Sequence, residues 1–165
     1  MKNVIPFEMF HWFEPDTSLV ENAHALRALL DCLIDLNASY LKYHPNTPKL
    51  YQSGVRYERV NEWLPIPALY NLGVGDCKSL ACALIAEYRK AGIPCEPAFR
   101  WVVRKGEPKV VRDFHILVEV ETGWEDPSKV LGMGADEVAP LNEPQSLVGV
   151  DSRKVRDNLR KLKIF

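Results

Sequence analysis

The sequence predicts an α+β domain in which a helix starting at Asp76 or Cys77 packs on an antiparallel sheet. Three observations carry this expectation. Apolar residues recur at helical spacing over about 17–43, and again from Cys77 to about Ala91. The period then changes, with strand-like runs at 95–103, 110–120 and around 124–126. Lys105-Gly106-Glu107-Pro108 and Glu121-Thr122-Gly123 separate those runs by tight turns, which join strands side by side and antiparallel.

The elements follow in order. Asp16-Thr17-Ser18 offers N-cap oxygens, and Leu19, Ala23, Leu26, Leu30, Leu33, Ile34 and Leu41 form one stripe interrupted by Asn37. Pro45 stops this first helix. Segment 45–60 reads as punctuated loop with a short strand, and Trp63-Leu64-Pro65-Ile66-Pro67 is excluded from a helix interior by its two prolines. The second helix carries Leu80, Ala81, Leu84, Ile85 and Tyr88 on its apolar face, and Gly92 and Pro94 close it. In the middle strand Phe114, Ile116, Val118 and Val120 alternate onto one face, and His115 falls on the other. After Pro127 the chain is rich in Gly and Pro up to Asp151. Residues 151–165 hold six Lys/Arg against two Asp, and Val155, Leu159 and Leu162 mark a helical face over about 151–163. A solvated amphipathic helix packing on the domain is one reading of that segment; a docking arm for an acidic partner is the other.

Composition narrows the function classes. At 165 residues the chain is expected to form a single domain with a substantial core. Its formal charge of −1 gives no reason to expect nucleic acid as a partner. No apolar run approaches the roughly 20 residues of a membrane span, and the N-terminus lacks the apolar core of a signal peptide, so a cytoplasmic protein is expected. The four cysteines, Cys32, Cys77, Cys82 and Cys95, show no CxxC spacing and read as reduced thiols, with Cys32 and Cys95 in apolar, core-like surroundings.

Cys77 stands out among them. It lies on the first turn of a helix, where unpaired N–H groups and the positive end of the helix dipole favour thiolate over thiol. His115 and Asp126 follow at strand-like positions, so nucleophile, base and orienter is the arrangement to test. Asp113 competes with Asp126 as orienter, but on one continuous strand its side chain runs parallel to the His115 ring, which ranks Asp126 higher. His11, His24 and His44 have no partner pattern. Each of the three residues also has a plain structural reading: a small buried cysteine, a hydrogen-bonded strand histidine, and an aspartate that forms a turn before Pro127.

The segments Gly75-Asp76-Cys77-Lys78-Ser79-Leu80-Ala81, Ala91-Gly92-Ile93-Pro94, Phe114-His115-Ile116-Leu117-Val118-Glu119-Val120 and Trp124-Glu125-Asp126-Pro127-Ser128 together resemble the transglutaminase-like superfamily of papain-like cysteine peptidases. The likeness spans about residues 60–130 and keeps both order and spacing. It implies a papain-like α+β fold, with Cys77, His115 and Asp126 as a catalytic triad acting on a peptide or protein amide through a Cys77 thioester. Where many members have an aromatic residue directly after the histidine, Ile116 and Leu117 stand here. The Cys77 backbone N–H is the natural first oxyanion donor. Trp63, Tyr70, Asn71 and Asp76 are the further oxyanion or substrate candidates. The stretch from Glu125 to Gly134 is also similar to a compact subgroup encoded by tailed bacteriophages, which implies a phage protein with other virion proteins as partners.

Three readings follow. The first is a cysteine-dependent acyl-transfer enzyme needing no cofactor; hydrolysis and transamidation differ only in whether water or an amine resolves the thioester. No calcium loop of the D-x-[DN]-x-[DN]-G type is present, which favours hydrolysis. The second is a binding or virion assembly protein that kept the fold without turnover. The third makes Cys77, His115 and Asp126 zinc ligands, against which stands the absence of paired ligand spacings.

Overall fold

The structure, a computed structural model, describes residues 19–104, 111–134 and 145–146, with side chains over 23–100 and 114–134. The first helix, α1, runs Leu19–Tyr43. A short 3-10 turn (Leu50–Gln52) and strand β1 (Arg56–Tyr57) lead to helix α2 (Ile66–Leu72) and strand β2 (Val74–Gly75). Helix α3 (Cys77–Lys90) then precedes strands β3 (Cys95–Arg104), β4 (Val111–Val120) and β5 (Gly123–Glu125). A single-turn helix α4 (Pro127–Val130) and strand β6 (Gln145–Ser146) complete the order.

The main sheet is antiparallel, in the order β5-β4-β3-β6. Its register pairs Phe99 with Ile116 and Arg100 with His115 on β3 and β4, and Val118 with Glu125 on β4 and β5. Strands β1 and β2 form a separate parallel pair. The expected α+β class, with a helix on an antiparallel sheet, is what the chain adopts. The basic segment 151–163, expected to be helical, lies outside the described residues, as do 17–18 at the start of the first helix.

Helix α3 is the centre of the core. Every residue from Ser79 to Ala86 is buried, so the middle of the helix is enclosed on all sides rather than along the single face its periodicity suggests. Ala81, Ala83 and Ala86 are small enough for α1 to approach on one side and the sheet on the other. Leu80, Leu84 and Ile85 lose essentially all their exposure, worth about 2 kcal/mol each. On the sheet, Phe99, Ile116 and Val118 join this core, with Phe114 and Val120 packed at its edge, as the alternation predicts. Ala98 and Leu117, paired one step along, are buried but lie outside that cluster.

Two features absent from the sequence-based expectation explain how the chain reaches α3. The proline-flanked segment is excluded only from a helix interior. Pro65 is the N-cap of α2 and Pro67 occupies its first turn, where a missing N–H costs nothing. Asn37, which interrupts the α1 stripe, is fully buried, and its Oδ1 accepts the Ile66 N–H at 2.8 Å. The polar break in α1 is therefore the group that receives the start of α2. Gly73 (φ 76°) ends α2 in a left-handed conformation. At Gly75 a Cβ would overlap Cδ1 of buried Leu69, so the glycine lets the chain pass close to α2 before α3 begins without displacing that side chain.

Candidate functional site

The approach to Cys77 is built locally. Asp76 is the N-cap of α3 in extended conformation (φ −100°, ψ −177°), and the first intrahelical bond runs from Leu80 N–H to Asp76 O at 3.0 Å. The backbone amides of Cys77, Lys78 and Ser79 therefore precede the hydrogen-bonded ladder of the helix. Cys77 is partly exposed at the edge of the core. All four cysteines are free; Cys82 and Cys95 are buried, and Cys32 is exposed to an intermediate degree like Cys77.

His115 reaches the site from β4 and Asp126 from the end of β5. The ring Nε2 lies 2.9 Å from Asp126 Oδ2, with only 7% of His115 exposed. Asp126 is also the N-cap of α4: its Oδ1 accepts the Ser128 N–H at 3.1 Å and the Lys129 N–H at 3.2 Å. Both carboxylate oxygens are thus engaged, and the Asp-Pro-Ser sequence has a physical purpose. Pro127 starts a one-turn helix whose amides hold the carboxylate that faces the imidazole.

The electrostatics join the three side chains. Burial disfavours the His115 imidazolium, yet hydrogen bonding to Asp126 and Cys77, with the charges of both, outweighs it and raises the ring pKa to about 9. Burial pushes the Asp126 carboxyl up, but the hydrogen bond and charge of His115 prevail and hold it below the usual carboxylate range. An ionised carboxylate only accepts, so Nε2–H is the donor in this pair. Nδ1 is left as the ring nitrogen for Cys77.

The other sequence candidates are placed differently. Asp76 pairs with Lys78 Nζ, which also donates to Val60 O at 2.8 Å. Burial raises the Asp76 carboxyl, against the pull of Lys78. Trp63 is half-buried, with its ring centroid 6.0 Å from Lys78 Nζ. Tyr70 is directed elsewhere: its hydroxyl donates to Glu87 Oε1 at 3.2 Å, well along α3 from Cys77. It also lines a cavity of about 470 Å³ with Tyr40, Tyr43 and His44, to which none of Cys77, His115 and Asp126 contributes. Asn71 is exposed on α2. The Asp113 side chain and His11 lie outside the described residues.

Two contacts had no sequence signal. Glu125, next to Asp126, accepts the Tyr51 hydroxyl on Oε1 and the Tyr88 hydroxyl on Oε2, each at 2.6 Å. This pincer ties β5 to α3 and to the 3-10 turn. Ser79, fully buried, accepts the Leu64 N–H on its Oγ at 3.0 Å.

Among the described residues no group of three or more His, Cys, Asp or Glu side chains is arranged to hold a metal ion, and no helix is long and apolar enough to cross a membrane. No curated protein and no solved structure gave a match to the chain. The sequence pattern of the transglutaminase-like superfamily matches residues 34–126, a span that runs from within α1 to Asp126 and includes Cys77 and His115. More than half of the chain lies within that match, and the chain belongs to the transglutaminase-like superfamily.

Proposed function

We propose that this protein carries out cysteine-dependent acyl transfer on an amide bond of a peptide or protein, with Cys77 as nucleophile, His115 as proton carrier and Asp126 as the group that orients the ring. The observation that supports it is the coupling of one buried imidazole to a carboxylate and to the Cys77 side chain at the start of a helix.

In this reading the imidazolium pairs with a Cys77 thiolate, and the sulfur attacks the amide carbonyl carbon. As the C–S bond forms, the carbonyl π electrons move to oxygen, where the Cys77 N–H is placed to receive the oxyanion. Collapse of that adduct breaks the C–N bond, and the departing amine takes the proton from His115 Nδ1, leaving a thioester and a neutral ring. Water or a second amine then attacks the thioester, gives a proton back to Nδ1 and releases the sulfur as thiolate. Asp126 accepts from Nε2 throughout and keeps Nδ1 directed at the reacting atoms. Water as the resolving nucleophile gives a peptidase or amidase; an amine gives a transglutaminase-type exchange.

Competitive alkylation tests the proposal. Cys32 is the matched control, since its exposure class equals that of Cys77. At pH 7, iodoacetamide is expected to modify Cys77 at least about tenfold faster than Cys32, and His115→Ala is expected to abolish the difference. Equal rates at the two thiols would refute the nucleophile assignment and favour a binding or assembly protein of the same fold.

A further inference from the structure

Three residues bracketing Cys77 all hold the same stretch of chain. Gly75 O accepts the Glu58 N–H at 3.0 Å, Lys78 Nζ donates to Val60 O at 2.8 Å, and Ser79 Oγ accepts the Leu64 N–H at 3.0 Å. Segment 58–64, which has no helix or strand of its own, is thereby laid along the first turn of α3. Trp63 is its one large aromatic side chain, half-buried against the core.

Lys78 is not an ordinary surface lysine. Its side chain and that of Asp76 are each only 14% exposed. Its ammonium meets Asp76 Oδ2, Val60 O and, at 6.0 Å, the Trp63 ring. A nearly buried ammonium is costly unless it is paired and hydrogen-bonded, so this arrangement holds its members together. Resting on the acyl-transfer reading of Cys77, we propose that Lys78 is a positioning residue. It clasps segment 58–64, and Trp63 with it, along the first turn of α3 beside Cys77.

The pair has a second consequence for the sulfur. Among the described residues, the titratable groups that face or flank Cys77 are His115 on β4, which Asp126 holds, Cys82 on α3, and the adjacent Asp76 and Lys78. Because Asp76 neutralises Lys78, the flanking pair adds little net field, and the imidazolium remains the positive charge that acts on the sulfur. The two partners can therefore be separated by substitution. Lys78→Met removes the clasp and strands a buried carboxylate beside Cys77. Asp76→Asn keeps an amide oxygen that accepts from the ammonium and the donor to Val60 O, and removes only the counter-charge.

Hydrogen exchange and Cys77 alkylation at pH 7, both on the full chain, test the proposal. In Lys78→Met, exchange at the hydrogen-bonded Glu58 and Leu64 amides should rise about ten- to a hundredfold while the α3 core stays protected, and Cys77 alkylation should slow. In Asp76→Asn, segment 58–64 should remain protected and alkylation should speed up by about tenfold. Unchanged exchange at 58–64 in Lys78→Met overturns the proposal, as does a change of alkylation in the same direction in both variants. Should Lys78→Met expose α3 as well, Asp76→Asn decides: lost protection at 58–64 in that variant is equally fatal. Cys77 reacting no faster than Cys32 in the unaltered chain refutes the acyl-transfer reading, and the exchange result then still decides the clasp.

Discussion

Replacing Asp126 by Asn tests the site with a nearly isosteric change. The Asn Oδ1 can still accept from Ser128 and Lys129, so the start of α4 is retained. The oxygen that accepts from His115 Nε2 becomes an NH₂ group, which can only donate. The ring must then turn Nε2 into an acceptor and keep its proton on Nδ1, the wrong tautomer for accepting a proton there. The magnitude follows from the displacement of His115 from an ordinary 6.5 to about 9. At roughly 1.4 kcal/mol per unit, this is about 3 kcal/mol of preference for the folded, charged ring. Because the folded-state value is the higher one, that stabilisation is fully present below 6.5 and is lost as pH rises through about 9. That preference is shared between Asp126 and Cys77, so Asp126→Asn is expected to cost about 1–3 kcal/mol near pH 6 and progressively less above pH 9. Urea unfolding at both pH values measures this, and NMR titration of the His115 ring proton follows the group itself. In the variant the ring should titrate clearly below its wild-type value, since burial persists and one of its two partners is gone. A wild-type ring that already titrates near 6.5, or a variant equally destabilised at pH 6 and pH 10, would refute the charge coupling on which the site depends.

Two further substitutions probe the scaffold that seats Cys77. Gly75→Ala places a methyl group against buried Leu69 and should lower stability by about 1–3 kcal/mol, read as a drop in the urea midpoint without a change in m. Asn37→Ala strands the buried Ile66 N–H and is expected to cost about 1–3 kcal/mol, with amide exchange rising first over α2.

What the sequence could reveal depended on how local the signal was. The helical stripe of α1, the Cys77 helix and the β3–β4 hairpin are short-range patterns, and the structure has them within a residue or two of where the periodicity puts them. Asp-Pro-Ser after a strand is a short-range signal of the same kind, because the turn at Asp126 is encoded in adjacent residues. Helix α2 was hidden because Pro65 and Pro67 read as breakers, although a proline is harmless in a first turn. Complete enclosure of α3 was hidden too, since alanines give no periodic contrast and only the tertiary structure shows layers on both sides. The pincer on Glu125 draws on the 3-10 turn, α3 and β5, and nothing in any one of those segments announces the others. Asn37 is the converse case: a visible irregularity whose reason lies in a distant backbone amide.

The enclosure of the middle of α3 also governs how damage elsewhere reaches Cys77. A rod wrapped on every side cannot be seated halfway, because α1 and the sheet must both close before its first turn has a fixed address. Destabilising changes remote from Cys77 should then reduce the number of competent molecules and leave the intrinsic reactivity of each survivor intact. On the acyl-transfer reading, the fast-labelling fraction of Cys77 counts folded chains, and a lesion in α1 can shrink that fraction without touching the sulfur's surroundings.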